Sequence, residues 1–203
     1  AACDGEDRPG GVEVIDGGSG SVSGSVSGAG TSDTTGEPSG DLGAYVPASN
    51  VEDHAMISLD IADINALLGA SPIDWDAVEH LYESGEHSKS GSGNRTLAGF
   101  ARNEGRSEAI WDDYTAYYGD PVWLDTFVMS AIEGTGAFEG ASDAVRKQGA
   151  QKGIQNQIIV AWMIHELVAA VGKANDGNVD PAGGAPHNWD EGWAFYHGVD
   201  PVN

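Results

Sequence analysis

From Ser49 onward apolar residues recur three and four positions apart, and that spacing confines the chain to helices packed on helices. Ile57, Ile61, Ile64 and Leu68 make one such stripe, closed by Gly69 and preceded by Ser49 and Glu52 at the spacing of a capping box. Ser71-Pro72 predicts a second helix, because proline suits the first helical position. It carries Val78, Leu81 and Tyr82 and ends near Gly85. A Ser/Gly loop leads to a short helix around residues 97–103. Ser107 opens another through Ile110, Trp111 and Tyr114 to Gly119, and Asp120-Pro121 repeats the cap-and-proline start before Trp123, Leu124, Phe127 and Val128. The longest helix is expected from Ser142 to about Lys173, with the stripe Ile154, Ile158, Ala161, His165 and Val168. Few strand signals interrupt this region, so the expected fold class is all-α, a bundle of about five to seven helices.

Residues 1–48 are a different polymer. Gly17 to Gly30 alternates Gly and Ser with an occasional Val, and so few apolar side chains cannot repay the ordering of the backbone. A Gly/Ser-rich extended arm or tether is expected over 1–48, and a helical domain over 49–203. Val12, Val14, Ile15, Val22 and Val26 suit a narrow groove or the sheet edge of a neighbouring copy. The start Ala1-Ala2-Cys3-Asp4-Gly5 resembles the end of a bacterial lipoprotein signal, although two residues precede the cysteine. Cys3 is the only cysteine, which leaves lipidation, an intermolecular disulfide or an incidental thiol. No apolar run reads as long enough to cross a bilayer, so membrane attachment is expected only through a lipid on Cys3.

Charge narrows the partners. With 32 acids against 9 basic residues the net charge is −23, a surface that repels nucleic acid and anionic membranes alike. Cations are the natural companions: calcium, iron, or the ions of a salty habitat. Acidity alone does not define a metal site.

Chemistry concentrates near the C-terminus. His187-Asn188-Trp189-Asp190-Glu191-Gly192-Trp193-Ala194-Phe195-Tyr196-His197-Gly198 brings imidazoles, carboxylates and aromatic rings into one short segment. A helix opening after Pro186 puts His187 and Glu191 one turn apart on one face, with Asp190 beside them. Such a mixed cluster suits iron or another divalent metal. A capped amphipathic helix, with Trp and Phe in the core and the acids facing its dipole, accounts for the same residues. His165 lies on the apolar stripe of the longest helix, next to Glu166. The pair begins like a zinc-protease motif, but Ala169 stands where the second His is needed. His80, Glu83 and His87, with Glu79 and Glu86, recur near helical spacing. Gly85 breaks that face, which reads as solvated charge. Asp176, Asn178 and Asp180 alternate as calcium ligands do, yet Pro181 follows and His187 occupies the twelfth position, so a polar turn fits equally. No phosphate loop, dinucleotide fingerprint, haem-attachment motif or legible catalytic triad is present, and nothing names a reaction.

Three segments, Ile73 to Gly85, Asn94 to Ala101 and His187 to Gly198, occur in an order that resembles the low-iron-inducible periplasmic protein family, the algal iron-assimilation type and its bacterial relatives, from about residue 50 onward. A similar His-x-Trp-Asp-Glu segment occurs in imelysin-like extracytoplasmic proteins. The resemblance implies a helical, extracytoplasmic protein linked to iron uptake, with no defined reaction or metal site. The expected function is capture or handling of iron or another divalent metal by His187, Asp190 and Glu191, joined by His165 and Glu166 if the long helix packs against the C-terminal one. A second reading is a structural subunit of an extracellular filament or surface assembly. There the arm would insert into another copy of the chain, Cys3 would staple it, and calcium would bridge acidic faces. A metal-dependent hydrolase is a third and weaker reading.

Overall fold

The computed structural model describes residues 45–102 and 108–199. Cys3, Ser107 and all of the arm before Tyr45 lie outside the described residues, and with them the expectations of a tether, a lipid anchor and self-assembly.

Local chemistry sets each helix start, and it differs in places from the sequence expectation. α1 (Glu52–Ala55) runs almost directly into α2 (Ile57–Gly69). Its first turn is served by Asn50, whose Oδ1 accepts from the Glu52 amide at 3.1 Å. The expected capping box is not used in this way, because the Ser49 hydroxyl donates to Asp190 at 2.7 Å. α3 (Trp75–Ser84) starts at Trp75 rather than at Pro72, since Asp74 caps it by accepting from the Ala77 amide at 3.1 Å. The Ser71-Pro72 peptide before it is cis. A two-residue antiparallel ribbon, β1 (Lys89–Ser90) with β2 (Gly93–Asn94), leads into α4 (Leu97–Ala101), which Thr96 caps through the Gly99 amide. α5 (Ala109–Tyr118) ends on Gly119 at φ 68°. Asp120 then accepts from the Val122 amide and the Thr126 hydroxyl, which delays α6 (Trp123–Glu133) until after Pro121.

A 3₁₀ turn at Gly136–Phe138 precedes α7 (Asp143–Lys152), which passes through a π-helical stretch, Gly153–Ile159, into α8 (Val160–Asn175). These form one continuous helix of 33 residues. It is long and apolar enough to span a bilayer by length and composition alone, which corrects the expectation that no run is. Here one face of it packs against α6 and against α9 (Ala185–His197). Counting α1–α2 and α7–α8 as single helices leaves seven among the described residues, the all-α bundle the periodicity implies.

The core gathers Ile57, Ile64, Leu68, Val78, Leu124, Val128, Ile154 and Ile158, all buried, so the α2 stripe points inward with Ile61 partly covered. One polar network crosses it. The fully buried Tyr82 donates its hydroxyl to Asp125 at 2.9 Å, and Arg102 donates to the same carboxylate at 2.6 Å while also pairing with Glu83. Every charge there has a partner, as burial requires.

The stripe of the long helix departs from expectation beyond Ile158. Buried positions continue at Glu166 and Ala170, while Val168 is half exposed and His165 only partly covered. An α-helix turns every 3.6 residues, so its inward face advances by three and four alternately. The wider π turn advances it by four and more, which carries Glu166 inward in place of His165. Gly153 heads that stretch at a close approach to α6: a Cβ there would lie 2.6 Å from Val128 Cγ2 and 3.1 Å from Phe127. Gly172, in the same helix, faces open space. Gly153→Ala should therefore destabilise the fold by about 1–2 kcal/mol through overpacking. Gly172→Ala should stabilise it by about 0.5–1 kcal/mol through helix propensity. Denaturant midpoints of the two variants, moving in opposite directions, test the packing; a gain in both would refute it.

Candidate metal centre

α9 opens as Pro186 predicts, with Pro in its first turn, and presents His187, Asn188 and Glu191 toward α1 and α8. Gly192 lets the helices approach, since a Cβ there would sit 3.1 Å from Leu167. Glu191 is the centre of the arrangement. Its Oε1 lies 3.2 Å from His187 Nε2, one turn back on the same helix, and 3.2 Å from His54 Nε2, contributed by α1. Its Oε2 accepts from Asn188 Nδ2 at 3.3 Å, and the same amide donates to Glu166 Oε2 at 2.6 Å. Two imidazoles and two carboxylates from three helices thus converge, with Glu166 within hydrogen-bonding reach of Glu191. The cluster is largely buried: side-chain exposure is 15% at His54, 13% at Glu191 and 24% at His187.

Hydrogen bonds behind His187 decide how that ring faces the carboxylate. Asp190 is wholly buried, and its oxygens accept from the Tyr45 hydroxyl at 2.6 Å, the Ser49 amide at 2.8 Å and the Ser49 hydroxyl at 2.7 Å. With its one proton given to Asp190, the Ser49 hydroxyl can only accept from His187 Nδ1, 2.8 Å away. Nδ1 therefore carries a proton, and Nε2 is the nitrogen turned onto Glu191 Oε1. Two acceptors 3.2 Å apart repel each other unless a proton or a cation lies between them.

Protonation follows the same crowding. Burial first, then the Glu191 charge, pushes the Glu166 carboxyl up to about 7, and burial raises Glu191 as well. Burial, aided by Arg95 and His187, pushes His54 down to about 3, so its ring is neutral at pH 7 and its buried Nδ1 has no partner. A neutral imidazole turned through its Nε2 onto a carboxylate pair short of positive charge is a donor set that fits a borderline divalent metal.

The sequence-predicted residues divide accordingly. His187, Glu191 and Glu166 meet. His165, although next to Glu166, points along the other side of α8, where its Nδ1 bonds Glu108 and its ring packs on Trp162. Asp190 gives its oxygens to Tyr45 and Ser49 and reaches the cluster only through Ser49. The weaker calcium candidates serve their own turn: Asn178 accepts from the Asp180 amide and Asp180 from the Ala182 amide, while Asp176 caps α8. His54, Ser49 and Asn188 were not singled out as site residues in the sequence. His54 lies three residues before Ile57 and so continues the inward stripe of α2, a signal of burial though not of ligation.

A helical bundle with a largely buried imidazole–carboxylate cluster is the class of protein that the described residues define. Residues 20–203 match the low iron-inducible periplasmic protein family, and the chain belongs to that family. The match begins inside the Gly/Ser-rich segment and covers the whole helical region. It places the protein outside the cytoplasm, as expected. No curated protein and no solved structure shows significant similarity to the chain.

Two outcomes test the electrostatics of the metal-free protein. Glu166 holds a proton in the folded chain that the unfolded chain releases near pH 4.5, so its contribution to stability falls as pH rises from about 4.5 toward about 7. His54 acts in the opposite sense, costing stability as pH falls below 6.5. Glu166→Gln should therefore raise the urea midpoint at pH 8, by the equivalent of about 1–3 kcal/mol, with little change at pH 4.5. An equal effect at both pH values would contradict the raised value. Asp190→Ala should cost about 2–4 kcal/mol at neutral pH, because three buried donors lose their acceptor. A change below about 0.5 kcal/mol in thermal or urea unfolding would show that the Asp190 bonds carry no weight.

Proposed function

We propose that the protein captures or handles iron or another divalent metal in the periplasm, with His54, Glu166, His187 and Glu191 as its ligands. The observation that carries this reading is the hydrogen-bond chain from Asp190 through Ser49 to His187, which turns the Nε2 of that ring onto the Glu191 carboxylate. Membership of a low-iron-inducible family supports iron as the physiological cargo.

The donor set favours Fe(II), Zn(II) or Mn(II) over calcium, since calcium takes oxygen ligands and two of these four donors are imidazole nitrogens. Asn188 holds the two carboxylates at a common edge. Asp190 and Ser49 fix the ring orientation at His187, so binding finds one of its ligands already turned. Affinity rises with pH, because the carboxylate pair must give up the proton it shares when a cation enters. Loading and release are thereby coupled to external acidity.

His187→Ala combined with Glu191→Gln should weaken Fe(II) and Zn(II) binding on the order of a hundredfold, measured anaerobically for iron by equilibrium dialysis with elemental analysis. Unchanged affinity and stoichiometry in a folded double variant would sink the assignment. Asp190→Asn, which touches no proposed ligand, should give a smaller loss, on the order of tenfold, through misorientation of His187.

A further inference from the structure

A second group of donors lies on the other side of α1, outside the cluster just described. Gly85 ends α3 at φ 55°, and a Cβ there would come within 2.6 Å of the Arg95 carbonyl oxygen, so only glycine makes this turn without strain. The turn sends Glu86 and His87 back across α2. His87 Nε2 then meets Asp63 Oδ2 at 2.8 Å, and one ligand atom from each of Asp63, Glu86 and His87 lies within 4.8 Å of the other two. Asp63 is about half exposed and His87 less so, with side-chain exposures of 52% and 29%, so the group opens to solvent.

What lies beneath the group argues for a cation. Asp60, one turn before Asp63 on α2, is wholly buried, and its Oδ1 accepts from the backbone amides of Glu86 at 2.9 Å and His87 at 3.1 Å. Its Oδ2 is buried with no hydrogen-bond partner. Burial pushes the Asp60 carboxyl up, opposed by the backbone amides of His87, Glu86 and Ser88 and by the nearby His87 ring. A buried carboxylate with one oxygen unsatisfied, under a loop that carries an imidazole and a carboxylate, leaves a local excess of negative charge. The loop is also anchored: the buried Ser88 donates its hydroxyl to the Asp53 carbonyl at 2.6 Å. Asp53 is the residue before His54, so the segment that holds the outer group is fastened to the helix that supplies the inner one.

We infer that Asp63, Glu86 and His87 form a second, outward-facing site for a borderline divalent cation. One imidazole and two carboxylates supply three donors, and water fills the remaining positions, so binding is weaker and exchange faster than at an enclosed four-ligand centre. The site shares no side chain with the inner cluster and stands whether or not that cluster binds metal.

The test is Co(II) binding to the full chain, by equilibrium dialysis and visible absorbance, in wild type, in Asp63→Asn with His87→Gln, and in His187→Ala with Glu191→Gln. Both outer positions are solvent-facing, and circular dichroism checks that each variant is folded. The outer double variant should lose the weaker class of sites, with affinity down on the order of tenfold or more. The inner variant should keep that class. If the outer variant abolishes all binding, the outer site holds and the inner assignment fails. An outer variant with the wild-type isotherm overturns the inference. Paramagnetically shifted imidazole resonances give an independent readout: Co(II) must shift a ring signal that is absent from His87→Gln, and no such signal in wild type also overturns it.

Discussion

A single buried carboxylate ties the first described residues of this protein to its last helix. Asp190 closes three hydrogen bonds on Tyr45 and Ser49, residues about 140 positions away in sequence. Contacts of such separation carry a large ordering cost, met here by charge-assisted bonds to a buried carboxylate. The entry of the chain into α1 is set by this clamp, and α1 carries His54. α9 carries His187 and Glu191. The same bonds that hold the termini of the bundle together therefore set the distance between the imidazoles that face Glu191.

The polar residues of the bundle follow one rule. Where a charge is buried among several partners it is neutralised: Asp125 has Tyr82 and Arg102, and Asp190 has a hydroxyl on either side and an amide. Where partners run short, as at Glu166, Glu191 and Asp60, burial raises the proton affinity of the carboxyl. In a chain of net charge −23, those undersupplied carboxylates are where an external cation gains most.

The helices and the inward face of α2 were legible from periodicity alone, because burial of one stripe per helix is a local pattern. So was the meeting of His187 with Glu191, which depends only on one turn of one helix. Helix starts were less legible: Ser49 carries the mark of a capping residue, yet a buried carboxylate far away in sequence takes its hydroxyl. His54 shows the same limit, since no spacing relates it to a helix over 130 positions later. The confusion of His165 with Glu166 has a different origin. A period of 3.6 extrapolated past Ile158 selects His165 and Val168, and no residue in Gly153–Ile159 announces that the turn will widen. The outer group at Asp63 escaped notice because two of its members looked like part of a helix face that Gly85 interrupts.

The π-helical stretch also makes the site sensitive to length rather than to side-chain identity. Removing one residue between Gly153 and Ile159 would let the turn relax to ordinary α geometry with the residues beyond it still on their present faces, because the wide turn is what absorbs the extra residue. A residue added or removed in the α-helical part between that stretch and Glu166 would instead rotate everything beyond it by about 100°, so that Glu166 would leave the cluster and a different face of α8 would meet α9. A chain built this way carries its inward carboxylate as a matter of counting: an indel of one amino acid is absorbed at the wide turn and switches the inward face when it falls in the regular helix beyond it.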